Sequence, residues 1–310
     1  MLKRKALKKI FISISCLLIL GIIYLFPDRN ENINKTTTIK KETNIIYLMD
    51  SNNYIARVNT VLNSKTDIDK IKEIINILTI GSNKYIREGF QKIIPENTKL
   101  LSVSIDNELV KLNFSKELLS VSLENEEKML ESIIYSLTSI DNIKYISIYV
   151  EGSILNELPN SKKKLNTILD RTYGINKEFN INTLNNTQKA TIYYMSKYND
   201  YYYYVPITKI LNTDISKIEI IIKELTSSKM LNTNLISYLN SNTELLSYNE
   251  TDKTLLLNFN ESILNDITTN NILEEVTYSI NLSIKDNYDI NDVIYYVNDK
   301  IITTFNINNS

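Results

Sequence analysis

Two long segments of the chain carry the same pattern of apolar, polar and turn-forming residues. Short motifs of the first segment return in the second at nearly the same distance along the chain: 46–49 as 192–195, 97–102 as 242–247, and 112–115 as 257–260. Chance rarely keeps such spacing over a whole unit, so the pattern indicates an internal duplication. We predict two tandem domains, a first copy at residues 44–161 and a second copy at 188–308, joined by a linker at 162–187.

Each copy follows the element order ββαββα(β), which predicts the α+β class. Strands are predicted at 45–49, 54–58, 100–105, 109–114 and 145–150, and in the second copy at 191–195, 201–207, 245–248, 254–259 and 293–297. Helices are predicted from apolar spacing around 71–79, 129–137, 218–226 and 273–280. The first helix of each copy has candidate caps at Thr66/Asp67 and Thr213/Asp214. The simplest arrangement is a mainly antiparallel sheet with two helices on one face.

The N-terminus predicts a membrane anchor. An uncharged apolar run at 10–26 follows a cluster of basic residues: Lys3, Arg4, Lys5, Lys8 and Lys9. Such a run is at the short end of what spans a bilayer, and the basic cluster should stay in the cytoplasm. We therefore predict a retained signal-anchor within residues 1–27 that forms one transmembrane helix. A polar, flexible tether at 28–43 would follow, with the bulk of the chain outside the cell membrane.

Cys16 lies inside this apolar run. A lipoprotein signal would place polar residues directly after the cysteine, whereas here the run continues apolar to Phe26. The pattern favours a small residue within a membrane helix over a lipidated cysteine. Either alternative predicts the same topology.

Composition narrows the chemistry that the chain can perform. The sequence has no histidine and one cysteine, which excludes imidazole bases, histidine-containing zinc sites and intramolecular disulfides. The formal net charge is −1 and no basic stripe stands out, so nucleic acid is not expected as a partner. With only 5 glycines the chain also lacks a phosphate-binding glycine loop. Carboxylate chemistry, as in glycoside hydrolysis, stays open in principle.

Two groups of carboxylates were candidates for chemistry. Asp67 and Asp69 are better explained as helix-capping residues than as metal ligands, because no calcium-loop pattern follows them. The acidic group at 124–127 is better explained as a solvated first turn of a helix than as a catalytic pair. We therefore predict that the chain is not an enzyme, and we assign no catalytic, cofactor-binding or metal-binding residue.

Four consecutive tyrosines, Tyr201, Tyr202, Tyr203 and Tyr204, lie in a predicted strand of the second copy. Alternation along a strand sends two of the rings to the core and two outward, Tyr202 with Tyr204 or Tyr201 with Tyr203. Tyrosine favours strands without any partner, yet exposed tyrosines are also good contact residues. We predict this run as a partner-docking edge. The lysines at 162–164 are most simply a solvated linker, with weak attraction to an anionic membrane or polymer as the alternative.

The segment 93–105, with Pro95 ahead of a strand, and the following 110–115 resemble the signature of the GerMN domain family. The segments 132–138 and 146–152 are similar to the second helix and last strand of that family, and 191–194 with 204–207 resemble its opening hairpin. The second copy departs from the pattern, because its segment 239–243 has no proline.

The resemblance implies an extracytoplasmic protein of spore-forming Gram-positive bacteria. It implies a scaffold that docks other membrane-anchored or envelope proteins in sporulation or spore germination, in the space between the forespore and mother-cell membranes. A binding module for cell-wall polymer or another envelope ligand is the alternative. The family provides no catalytic motif to transfer.

Overall fold

The computed structural model describes residues 44–307, apart from 184, 228–233, 267 and 269. These residues lie in one compact unit, Thr43–Ser310, which contains both copies. The predicted anchor at 10–26, the tether at 28–43 and Cys16 lie outside the described residues. Of the residues that the structure describes, no helix is both long and apolar enough to cross a membrane.

The predicted mixture of strands and few helices is confirmed. The first copy contains β1 (Asn44–Asp50), β2 (Ile55–Thr60), α1 (Asp67–Leu78), β3 (Phe90–Gln91), β4 (Leu100–Asp106), β5 (Leu109–Phe114), α2 (Glu126–Leu137), β6 (Tyr145–Val150) and β7 (Ser153–Ile154). A short strand, β8 (Glu178–Asn180), lies between the copies. The second copy contains β9 (Thr187–Tyr198), β10 (Tyr201–Asn212), α3 (Lys217–Leu225), β11 (Leu245–Thr251), β12 (Thr254–Phe259), α4 (Glu274–Asn287), β13 (Asp292–Val297) and β14 (Lys300–Asn306).

The later strands of each copy form a sheet of their own, with the same topology in both. The orders are β4-β5-β6-β7 and β11-β12-β13-β14. Each sheet has one parallel pair, β5 with β6 and β12 with β13, between two antiparallel pairs. Even the irregularity in the first pair recurs, between Leu100 and Ser102 and between Leu245 and Ser247. The two copies therefore share a fold, as a duplication requires.

The opening hairpins correct the prediction of one sheet in each copy. Strands β1 and β2 of the first copy and β9 and β10 of the second belong to a common six-stranded sheet, ordered β3-β1-β2-β10-β8 with β9 on β10. The two hairpins meet where β2 pairs antiparallel with β10, at Arg57 and Tyr204. An isolated hairpin is marginally stable and leaves its edges open. Placing two hairpins side by side removes one open edge from each.

The helix starts partly match the predicted caps. Thr66 caps α1 as expected, and its side-chain oxygen accepts from the Asp69 main-chain N–H. The predicted cap at Thr213/Asp214 is wrong, because Ser216 caps α3 in a reciprocal box with Glu219. The prediction that the first turn of α2 is solvated is wrong at Glu126. This side chain is 1% exposed and accepts from the main-chain N–H groups of Asn160 and Ser161.

The segment between the copies is folded. It contributes β8, which pairs in parallel with β10, and its residues Leu169 and Ile175 are buried. Asn176 bonds the main chain of both hairpins: its Nδ2 donates to the carbonyls of Ile55 and Pro206, and its Oδ1 accepts from the Ile55 N–H. Because Pro206 has no N–H to continue the sheet, this side chain replaces main-chain pairing between the hairpins.

Helix serines cover the outer edge of the opening strand. Ser132 of α2 donates to the Tyr47 carbonyl at 2.6 Å, and the Tyr47 N–H donates to Ser136 at 2.8 Å. In the second copy, Ser283 of α4 accepts from the N–H of Tyr193 at 2.9 Å. These hydroxyls occupy main-chain groups that another strand could otherwise pair with. The central sheet is thus closed to partners at these positions.

We expect Ser136→Ala to destabilise the fold by about 1–3 kcal/mol, because it leaves the buried Tyr47 N–H without its acceptor. Ser104→Ala is the matched control, since Ser104 is exposed on β4 and should change stability by less than about 0.5 kcal/mol. Chemical denaturation of both variants measures the difference. Equal stability of the two variants would contradict the sealing role of Ser136.

Candidate functional site: the joint between the two copies

Two corresponding tyrosines meet where the copies join. Tyr47 of β1 and Tyr193 of β9 are 146 positions apart, which is the repeat spacing of this motif, and their hydroxyl oxygens lie 2.9 Å apart. Both side chains are buried. The Tyr193 hydroxyl donates to Asp286 Oδ2 of α4 at 2.6 Å, so its oxygen is available to accept from Tyr47. Each copy therefore supplies the same residue to one hydrogen-bonded chain.

Arg171, from the segment between the copies, completes this chain. Its guanidinium forms an ion pair with Asp286, whose side chain is only 3% exposed. It also donates to Thr138 Oγ1 at 3.0 Å and to Ser139 Oγ at 2.8 Å. The guanidinium carbon lies 4.8 Å from the centre of the Tyr135 ring, within reach of a cation–π interaction. One arginine thus links α2 of the first copy to α4 of the second.

Burial keeps the tyrosine hydroxyls at this joint protonated. Burial, followed by the charge of Asp286, raises the pKa of Tyr193 well above its ordinary value. The same two causes, in the same order, raise the pKa of Tyr135. A protonated phenol can donate, which is what a carboxylate such as Asp286 requires from its neighbours. These hydrogen bonds and the ion pair connect the two copies.

The tyrosine run lies in the same joint. Strand β10 pairs with β9 along its whole length and with β2 and β8 on its other side, so it is not an open sheet edge. Tyr203 is 3% exposed and donates to Asp50 of β1 at 2.8 Å. Tyr204 stacks on Tyr278 of α4, with ring centres 6.0 Å apart. At Tyr204 the opening hairpin of the first copy already occupies the position that a docking strand would take.

Residues of the first copy in and just before β3 contact the rings of the tyrosine run. Arg87 lies over the Tyr201 ring at 4.0 Å, and Phe90 meets the Tyr203 ring edge-on at 4.9 Å. Gly89 has a positive φ of 89°, and a Cβ built there would lie 2.5 Å from the Tyr198 ring. No side chain fits at that position without moving the ring. Tyr202 is the exception in the run, being 47% exposed beside Lys197.

A cleft of about 520 Å³ opens beside Arg171, and we call it the basic cleft. Its charged lining consists of five cations and three carboxylates: Lys144, Arg171, Lys189, Lys217, Lys285, Asp170, Asp286 and Asp289. Ile143, Tyr145 and Tyr288 supply apolar wall. The cleft gathers residues of α3, α4, β9 and the segment between the copies. It is a local positive region in a chain whose net charge is −1.

The carboxylates of the basic cleft already have partners. Asp286 pairs with Arg171, Asp289 pairs with Lys253, and Asp170 accepts from the Thr172 N–H. The positive charges of two of the lysines are not balanced by an ion pair with a carboxylate among the described residues. Within the described ranges Lys189 and Lys217 donate to main-chain carbonyls, of Thr172 and Asn287, and neither forms an ion pair.

The lysine environment favours the arrival of an anion. Burial is the largest cause lowering the pKa of Lys189; Asp170 opposes the shift, and the nearby cations Lys177 and Lys217 add to it. Burial also lowers the pKa of Lys285, with Arg171 as the next cause. In both cases burial removes water from around the ammonium group and so disfavours its charged form. A bound anion would stabilise the charged form.

The carboxylates considered from sequence have structural roles. Asp69 accepts from Thr66 at the start of α1, and Glu127 pairs with Lys163 at 2.8 Å. Lys163 is exposed, as the sequence pattern indicated, and its ion pair with Glu127 connects it to α2. Among the residues that the structure describes, no group of three or more Cys, Asp or Glu side chains is placed to hold a metal ion.

Taken together, the fold and the joint define a class: a tandem α+β repeat protein whose two copies are fused through a shared sheet and a buried Tyr–Asp–Arg chain. Comparison with known proteins shows which proteins this chain is similar to. A family model described as "Germane: Sporulation and spore germination" matches residues 45–156. The chain is 29% identical over 273 residues to "Spore germination protein GerM" of Bacillus subtilis (strain 168), covering 86% of this chain and 73% of that protein.

A solved structure agrees with this match. The "Tandem GerMN domains of the sporulation protein GerM from Bacillus subtilis" superpose with a TM-score of 0.76 at 28% identity, covering 84% of this chain and 92% of that one. The predicted resemblance to the GerMN domain family, in tandem arrangement, is confirmed. The matching proteins are sporulation proteins rather than members of a known enzyme family.

Sequence reasoning missed most of the joint. Arg171 lies in a segment assigned to a linker, and Asp286 lies on a helix whose counterpart in the first copy has Ser139 at the matching position. The sequence did contain one signal for the joint: a charged residue, Asp286, stands where the first copy has a serine. Lys189 and Lys217 had no signal, since single lysines near strand and helix ends are common on surfaces.

We expect Gly89→Ala to destabilise the chain more than Gly152→Ala. Both glycines have a positive φ, near 89° and 81°, so both substitutions incur about 1–2 kcal/mol of backbone strain. Only Gly89 has a neighbouring ring within 4 Å, and overpacking adds about 1–3 kcal/mol. Denaturant unfolding of the pair isolates the contact between the copies. An equal loss in both variants would show that the Gly89–Tyr198 contact does not matter.

Proposed function

We propose that this chain acts in sporulation or spore germination as a docking protein that holds a partner protein outside the membrane. The similarity to a protein named for spore germination supports the process. The predicted basic and apolar N-terminus supports a membrane tether, with the cytoplasm on the side of Lys3 and its basic neighbours. The folded copies would then face the extracytoplasmic space, where a partner can reach them.

The observation that carries the proposal is a pair of corresponding edge strands. Strand β4 pairs only with β5, and β11 pairs only with β12, among the described strands. Both are exposed along most of their length. An edge strand offers N–H and C=O groups that a strand from another chain can pair with. The duplication therefore presents two corresponding edges on one compact unit.

The side chains on these edges suit a protein partner. Leu101 of β4 is 48% exposed, and Leu246 and Tyr248 of β11 are 50% and 43% exposed. A tyrosine beside open main-chain groups provides apolar area and a hydroxyl at little entropic cost. Neither edge carries the proline or lysine residues that usually discourage pairing. Strand β11, with two such side chains, is the preferred edge.

The tyrosine run offers less exposed surface for docking than its sequence predicted. Tyr201 and Tyr203 pack within the joint, and Tyr204 stacks on α4, so Tyr202 alone presents a largely exposed ring. If a partner binds the tyrosine run, it therefore contacts the side chain of Tyr202. Such a contact lies on a different strand from the β11 edge, and a variant can separate the two.

We expect Leu246→Ala/Tyr248→Ala to reduce capture of the partner by about tenfold or more, because interface anchors of this kind dominate binding energy. The measurement is a pull-down from membranes of sporulating cells with segment Thr43–Ser310, quantified by mass spectrometry. Tyr85→Ala/Ile301→Ala is the matched control, because it also removes an exposed tyrosine and an exposed aliphatic residue, which are 86% and 63% exposed. Tyr202→Ala tests the remaining contact of the tyrosine run.

Equal loss with the control variant would remove β11 as the docking edge. If wild-type protein captures no envelope protein, while the same segment turns over a wall or sugar substrate, the docking proposal is wrong and an enzymatic function replaces it.

A further inference from the structure

We propose that the basic cleft binds a phosphate-bearing ligand. Its electrostatic lining comes from both copies and from the segment between them, so the cleft exists only in the joined molecule. The inference concerns a surface separate from the β11 edge and does not depend on the docking proposal.

Ion pairs do not fully compensate the positive charge of the basic cleft. The lining has five cations and three carboxylates. Arg171 pairs with Asp286 and Lys144 pairs with Glu108 at 2.7 Å, whereas Lys189 and Lys217 form no ion pair within the described residues. Lys189 and Lys217 point their ammonium groups at carbonyls, which carry only partial charge. Partly buried ammonium groups gain most from a full negative charge nearby, because water screens them less. The cleft is therefore selective for anions.

The hydrogen-bond donors of the basic cleft favour phosphate over carboxylate. An arginine fork binds carboxylates and phosphates alike through two parallel bonds, whereas separate ammonium groups contact oxygens that point in different directions, which a tetrahedral phosphate offers and a planar carboxylate does not. The guanidinium group in the cleft lining, that of Arg171, already donates to Asp286, Thr138 and Ser139. What remains is lysine, a compact charge that binds tetrahedral phosphate oxygens from any direction. A phosphate group with oxygens toward both Lys189 and Lys217 fits this lining.

The size and walls of the basic cleft suit a small organic ligand. A volume of about 520 Å³ is within the range of small-ligand sites. Tyr145 and Tyr288 line the cleft, and the side chain of Tyr145 is 39% exposed. These walls suit the carbon backbone of a glycerol or sugar attached to the phosphate. A bare inorganic anion would leave them without a contact.

The test is titration of segment Thr43–Ser310 with pyrophosphate and with a glycerol-phosphate oligomer, followed by calorimetry and by amide NMR shifts. We expect saturable binding that weakens as ionic strength rises. Shifts should concentrate at Thr172, Lys189 and Asn287, which line the cleft. Tighter binding of the oligomer identifies a polymer source, and tighter binding of pyrophosphate identifies a small phosphate compound. Both results support the cleft as a phosphate site.

We expect Lys189→Gln/Lys217→Gln to raise the dissociation constant about tenfold or more. The control is Lys72→Gln/Lys116→Gln, which removes the same charge from exposed positions of the first copy and should stay within about twofold. Should the cleft variant fail to fold by circular dichroism, the NMR shift map of the wild-type protein decides the location.

Three results would overturn the inference. One is the absence of saturable binding by either probe at millimolar concentration. Another is an equal loss in the two double variants, or shifts that map away from the cleft. Tighter binding of citrate than of pyrophosphate would overturn the assignment to phosphate. None of these outcomes alters capture at β11, so failure here is distinguishable from failure of the docking proposal.

Discussion

A two-stranded hairpin cannot satisfy both of its edges, and each copy of this chain begins with one. The structure meets that requirement by pairing β2 with β10, so that the hairpins of the two copies become parts of one sheet. Asn176 bonds to Ile55 and Pro206 where main-chain pairing stops. Helix serines then cover the outer edge of β1 at Tyr47. The positions of Arg171, of the tyrosine run and of the basic cleft all depend on this shared sheet.

The buried chain at the joint adds specificity to this arrangement. Tyr47 and Tyr193 bond each other, and Asp286 connects them to Arg171. Buried ion pairs contribute little net stability, but they disfavour any packing that would leave one charge alone. A slipped register between the hairpins would separate Tyr193 from Tyr47 and break the chain of hydrogen bonds. These residues therefore favour one packing of the two copies more than they add to its stability.

The duplication was predictable because motifs such as 97–102 and 242–247 keep their spacing, and the strands around them were placed correctly. The sharing of hairpins was not predictable, because alternation along Tyr201–204 is the same whether the neighbour is another protein or the chain's own first copy. The Ser216 cap could have been found, since Ser216 and Glu219 have the spacing of a capping box. The basic cleft could not, because its lysines come from elements that are distant in sequence and converge only in the folded joint.

The central claim is that both copies form one cooperative body rather than two domains on a linker. Scanning calorimetry of segment Thr43–Ser310, with denaturation followed in parallel by hydrogen exchange at Tyr47 and Tyr193, tests this claim most directly. The account predicts one transition, with calorimetric and van't Hoff enthalpies in agreement and equal protection of the two amides. Two separate transitions, with one copy exchanging its amides while the other stays protected, would contradict it.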